Sequence, residues 1–196
     1  MVWQKNGTPL TLGSELDDMD ITDLTAKKLN QFLIHKLGVS AENEHITFNN
    51  NGNSVYADRY SYNGTEVTNV TQAYLNTNFS NQLWDNFMTL LVCSITGEEK
   101  LCIGFKVYGD TAGAGTAPNR MEFTGKFVPS PDADITRIDI NNTGGGGYTT
   151  GSNISALGTS GGEVNYKIQD GAVFEETDTN KHYLYSSTTG IWTLIT

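Results

Sequence analysis

The sequence predicts an all-β chain of short antiparallel strands, and three observations predict it. Hydrophobic residues make up only 37% and charged residues 17%, with Gly, Asn, Ser and Thr taking the difference. Those residues favour turns and strand edges over helix interiors. Two long apolar runs flank a Gly-containing turn between Phe87 and Tyr108. Alternating runs also recur along the chain at the spacing of a sandwich or barrel.

Residues 21–37 read in two ways. Asp23 suits a helix cap, and Leu29, Phe32, Leu33 and Leu37 fit helical spacing. Read as a strand, Leu29, Gln31, Leu33, His35 and Leu37 share one face, with Phe32 and Ile34 on the other. The all-β setting favours a strand from about Lys28. His45 to Asn49 reads as the next strand, followed by an Asn-rich turn over 50–53. Ser54 to Ser61 follows, with Val55, Ala57 and Tyr60 expected inward. Asn63-Gly64 is a strong hairpin-turn signal. Residues 67–79 are polar and Thr-rich, with a strand expected near Gln72 to Leu75.

The hairpin has the clearest local pattern. Phe87 to Ile95 and Lys100 to Tyr108 read as strands around the turn Thr96-Gly97-Glu98-Glu99. A four-residue loop pairs Ile95 with Lys100. Met88 then faces Val107, Leu90 faces Phe105, and Val92 faces Ile103, all on one apolar face. A slip of one residue would put lysines in the core. This register sets Cys93 opposite Cys102, either as a disulfide or as two small thiols beside Gly104. Assembly in a reducing cytoplasm favours the thiols.

Asn119 to Val128 alternates cleanly, with Met121, Phe123, Gly125 and Phe127 on one face and Arg120, Glu122, Thr124 and Lys126 on the other. Ile135 to Ile140 places Ile138 and Ile140 opposite Arg137 and Asp139. After the glycines at 144–147, a strand near Ser152 to Leu157 closes the first domain, residues 1–158. Gly158-Thr159-Ser160-Gly161-Gly162 is a flexible connector into an extension over 159–196. Strands are expected there at Val164–Gln169, Ala172–Glu175, His182–Tyr185 and Ile191–Ile195. So short a piece is marginal alone, so it is expected to dock on the main domain or on a neighbouring chain. Its candidate assembly contacts are Val164, Tyr166, Ile168, Phe174, Trp192 and Ile195.

The chemistry-bearing residues are sparse. The net charge is −10, from 22 acidic and 12 basic residues, which disfavours nucleic acid and anionic membranes. No apolar run reaches membrane-spanning length, and the first residues lack the apolar core of a secretory signal. His35, His45 and His182 have no metal-ligand spacing. Glu15, Asp17, Asp18 and Asp20, and Asp132 with Asp134, lack the spacing of a calcium loop and read as solvated turns. No elbow, P-loop or zinc motif occurs, so neither an enzyme nor a cofactor is expected. Tyr56, Tyr60, Tyr62 and Trp84 are candidate glycan platforms, set against a role in cross-strand pairs or subunit contacts. Six glycosylation sequons, at Asn6, Asn63, Asn69, Asn78, Asn141 and Asn153, are near chance in so Asn- and Thr-rich a chain.

Three stretches carry a resemblance: residues 47–61, 116–127, and 135–142 with Gly151-Ser152-Asn153-Ile154. They resemble small virion-associated proteins of tailed viruses of marine microbes. Phe174 to Thr179, then Lys181-His182-Tyr183-Leu184-Tyr185 and Gly190-Ile191-Trp192-Thr193, is similar to a terminal hairpin module of phage structural proteins. The resemblance implies a jelly-roll-like antiparallel β-sandwich with a small C-terminal β-hairpin extension. It also implies a structural role as a head decoration, capsid, fibre or tail component on the outer surface of a virion. The expected partners are copies of the chain and other virion proteins. The alternative is a carbohydrate-binding module that attaches to host surface glycans.

Overall fold

The computed structural model describes residues 2–37, 43–77, 85–109, 111–144, 146–160, 170–176, 179, 181–186, 188–189 and 191–195. The described residues are all-β, and their sheets are antiparallel. The strands are β1 (Gln4–Lys5), β2 (Leu10–Thr11), β3 (Asp18–Ile21), β4 (Leu29–Lys36), β5 (Glu44–Phe48), β6 (Tyr56–Tyr62), β7 (Thr65–Gln72) and β8 (Leu75–Asn76). They continue with β9 (Asn86–Cys93), β10 (Lys100–Tyr108), β11 (Asn119–Phe127), β12 (Ile138–Asn142), β13 (Asn153–Thr159), β14 (Val173–Glu176), β15 (Lys181–Ser186) and β16 (Ile191–Leu194). No helix of the described residues is long and apolar enough to cross a membrane. The chain divides into two compact units, residues 2–161 and 162–196.

The larger unit packs two sheets face to face. One runs β1-β13-β4-β9-β10-β11-β6-β7, with β2 also on β13, and the other runs β3-β12-β5-β8. Residues 29–36 form a strand, with Asn30, Phe32, Ile34 and Lys36 inward. The segment is held extended by its ladders to β9 and β13, which bury Phe32 and Ile34 on one face whatever the local helical spacing. Phe32, Phe48, Phe127 and Tyr56 join the sheets, with ring centroids 6.5, 5.7 and 4.9 Å apart in successive pairs. Met19, Ile46, Leu75, Met88, Leu90 and Ile140 fill out the same core.

The turns follow their chemistry. Asn63 and Gly64 have φ of 45° and 93°, which gives the two-residue hairpin between Tyr62 and Thr65. In the Asn-rich turn, Asn49 and Asn50 are left-handed, with φ of 56° and 51°. The Asn49 amide bridges to the chain before β12: Nδ2 donates to the Asp134 carbonyl (2.8 Å), and Oδ1 accepts from the Thr136 N–H (2.9 Å).

Three sequence expectations are corrected. The β9–β10 ladder is one residue off the expected register: Cys93 faces Leu101, Val92 faces Cys102, and Leu90 faces Gly104. β6 takes the opposite phase at its start, with Tyr56 and Asp58 buried and Ala57 between them. The Thr-rich segment gives a full strand over Thr65–Gln72 before the short β8, where one strand was expected near Gln72 to Leu75.

The smaller unit is a three-stranded meander, β14-β15-β16. Phe174 pairs with Tyr183, and Tyr185 with Trp192. Strand alternation therefore places these four rings on one face, with centroids 5.1 to 6.1 Å apart in the touching pairs.

Candidate functional site

The outward face of the large sheet is the site that departs furthest from an ordinary surface. Along β10 every outward side chain is apolar: Leu101 is 54% exposed, Ile103 46%, Phe105 54% and Val107 39%. Phe87, on β9 opposite Val107, adds 44%. On the other side β11 presents Arg120, Glu122, Thr124 and Lys126 outward. Arg120 and Glu122 form an exposed ion pair at 3.6 Å. Covering an apolar strip of this kind removes its area from water, at about 25 cal/mol per Å² buried.

The inward face of β10 explains why the strip faces out. Lys100, Cys102, Gly104 and Lys106 point into the protein. The Lys106 Nζ donates to Glu44 Oε1 at 2.6 Å and to the Thr77 carbonyl at 3.2 Å, with both charged side chains about 1% exposed. Lys36 Nζ lies 3.8 Å from Glu44 Oε2. Burial pulls the Lys36 ammonium down to about 7, against the pull of Glu44, and Lys106 adds to the depression. Burial alone would raise the Glu44 carboxyl, but Lys106, Lys36 and the hydrogen bonds from Lys106 and Thr77 bring it below its ordinary value. At the other end, Lys100 Nζ donates to the carbonyls of Ile95 (2.7 Å) and Glu98 (2.9 Å) and to Asp132 (2.7 Å). The loop over 94–99 folds around that ammonium, so the tight four-residue closure is replaced and the register moves by one. Asp132 also accepts from the Gly97 N–H (2.6 Å), and Asp134 accepts from Thr96 Oγ1 (2.9 Å).

The expected site residues fall as follows. Cys93 and Cys102 are both free thiols. With the register moved by one they lie on neighbouring strands but point to opposite faces, so neither the disulfide nor the thiol pair is formed. Tyr56 is 1% exposed, its hydroxyl accepting from the Phe48 N–H (2.9 Å) and donating to the Asn51 carbonyl (3.0 Å). It is a core residue, not a glycan platform. Tyr60 and Tyr62 are half-buried against the core, with the Tyr62 hydroxyl 2.6 Å from that of Tyr108. Trp84 lies outside the described residues, as do Val164, Tyr166 and Ile168. Phe174 (53%), Trp192 (36%) and Ile195 (49%) are exposed, the first two with rings 6.0 Å apart.

Among the other candidates, His45 stacks on Tyr74 at 3.6 Å. Asp20 pairs with Arg137 at 3.0 Å, and burial with its acidic neighbours raises the Asp18 carboxyl. Asn6 is 2% exposed, and its amide is spent on Thr25 and Asn30. The apolar strip itself was missed from sequence. Its signal was present: an outward phase for Leu101, Ile103, Phe105 and Val107 is the other way of reading the same alternation. No protein-family model, curated protein or solved structure matches the chain.

Proposed function

We propose that the chain is a structural protein of a viral particle, working at its outer surface through contacts with copies of itself and with other virion proteins. The observation that carries this reading is the exposed apolar strip of β9 and β10. Monomers seldom leave so continuous a strip in water, and such strips mark association surfaces. The exposed aromatic face of the small unit points the same way.

Strand order supports a jelly-roll reading of the larger unit. Counted as one element, β9–β11 gives eight elements from β3 to β12. Their spatial orders are then 1-8-3-6 in the small sheet and 2-7-4-5 in the large one. Jelly rolls serve both capsid and lectin domains, so the fold does not choose between them. The assembly reading draws its support from the exposed strip, and Tyr56, Tyr60 and Tyr62 lie on the core side of β6, which speaks against their use as sugar platforms.

The test is co-purification. In particles banded by density from a culture that makes the chain, it should appear in fixed ratio to the major shell protein. Recovery only in the soluble fraction overturns the reading.

A further inference from the structure

The strip has a partner that its own chemistry selects. One end of it is a groove of about 240 Å³ lined by Phe87, Phe105, Val107, Arg120 and Glu122. Five half-exposed apolar side chains of roughly 150–200 Å² each give about 400 Å² of apolar surface, the size of the largest, often functional, patch on a monomer. With the charged border the area approaches the ~800 Å² that each partner buries in a stable interface.

The border decides the occupant. The chain carries −10 overall, so two copies repel each other over most of their surface. Along this strip the charge is balanced: Arg120 and Glu122 of β11 line the groove, and Arg59 of β6 and Glu66 of β7 line the adjoining hollow beside Ile103 and Phe105. Arg120 and Glu122 flank Met121, which lies across the ladder from Lys106, while Phe105 and Val107 flank Lys106. A two-fold axis in the interface plane, perpendicular to the strands at that level, exchanges the two members of each flanking pair. One operation then sets Phe105 on the partner's Val107 and Arg120 on the partner's Glu122.

We propose that two copies of the chain pair face to face through the outer side of β9–β11, about a two-fold axis at the level of Lys106 and Met121. A self-complementary patch of this kind is what an isologous interface requires. The proposal rests on the reading of the chain as an assembly protein and names the surface and symmetry of one contact.

Sedimentation equilibrium of the full chain tests it, with circular dichroism to confirm that each variant is folded. The wild type should dimerise below about 100 μM, and Phe105→Glu should weaken the dimer ~100-fold or more, as loss of a central anchor does. Arg120→Glu should weaken it about tenfold by placing like charges together, and the swap R120E/E122R should restore it to within about threefold. A wild type that stays monomeric overturns the proposal, as does a dimer indifferent to Phe105→Glu. A swap that fails to restore pairing overturns the two-fold arrangement. A chain found in particles yet monomeric in solution would fail here while its virion role stood. A dimer absent from particles would do the reverse.

Discussion

Strands β10 and β11 are neighbours in one sheet, each nine residues long, and they treat their own alternation in opposite ways. β11 turns Met121, Phe123 and Phe127 inward and its charges outward. β10 turns Lys100 and Lys106 inward and Leu101, Ile103, Phe105 and Val107 outward. Alternation tells a strand which residues travel together, but the side that faces the core is chosen by what waits there. For β10 the waiting groups are Glu44 and Asp132, 62 and 32 residues away in sequence. The inverted strand gains an outward apolar row, and the carboxylates of buried Glu44 and exposed Asp132 hold it inverted.

Removing the carboxylate that anchors the inversion should have the largest effect. Glu44→Gln leaves Lys106 and Lys36 buried without their countercharge, which should cost about 3–5 kcal/mol. Urea unfolding reads this as a drop in midpoint. The triple replacement Glu44→Leu with Lys36→Met and Lys106→Met should recover most of the loss, because removing all three charged groups together leaves no stranded charge. An unchanged midpoint for Glu44→Gln would mean that the buried pair does not set the face of β10.

Gly104 tests the register directly. A Cβ built there would lie 2.1 Å from the Phe123 ring, so the glycine makes room for a core aromatic from β11. Gly104→Ala should cost about 3 kcal/mol through overpacking. In the register expected from the hairpin alone, Gly104 faces outward and the same change is nearly neutral. The paired variant Gly104→Ala with Phe123→Leu should return part of the loss, which separates crowding from a general intolerance of β10.

Where the sequence was legible, the deciding contacts were local. Asn63-Gly64 fixed its own turn, and β11 and β12 showed their inward faces through Met121, Phe123, Ile138 and Ile140. β4 was legible as a strand because its apolar residues still split correctly between faces. The hairpin misled because its loop length was read as a tight closure, and Lys100 is held by Asp132 and two loop carbonyls. Tyr56 misled for a related reason: its hydroxyl finds buried backbone partners at Phe48 and Asn51, which nothing in the local pattern announces. The candidate surface inherits the same difficulty. An apolar row on a strand reads as core until some distant charge claims the opposite face.

A smaller effect follows from Lys36, which faces Glu44 from β5 and Lys106 from β10. Its folded pKa is depressed to about 7 from 10.5, so between those values the unfolded chain binds the additional proton. The burial penalty is therefore fully present below pH 7, and this contribution to stability rises as pH increases through that window. Between about pH 7 and 9 the gain should be ~2 kcal/mol. Lys36→Met should flatten that slope while leaving other titrations in place. Denaturation midpoints across the range measure it, and parallel pH profiles for wild type and variant would rule it out.

The smallest effect concerns the cysteines, where the two registers differ most plainly. One places the thiols opposite each other on one face; the other puts Cys93 outside and Cys102 inside, in the core. Burial pushes the Cys102 thiol up to about 12, so it is a poor thiolate source as well as an inaccessible one. Native protein should titrate one thiol quickly with an aromatic disulfide reagent, and the second only on unfolding. Cys93→Ser should change stability by less than about 0.5 kcal/mol, as a surface substitution does. Cys102→Ser should cost more, because its hydroxyl enters an apolar site beside Val92. Mild oxidation should leave the chain mass unchanged by any internal crosslink. An intrachain disulfide formed without unfolding would require Leu101 and Cys102 to exchange faces, and with them the apolar row on which the pairing of two copies depends.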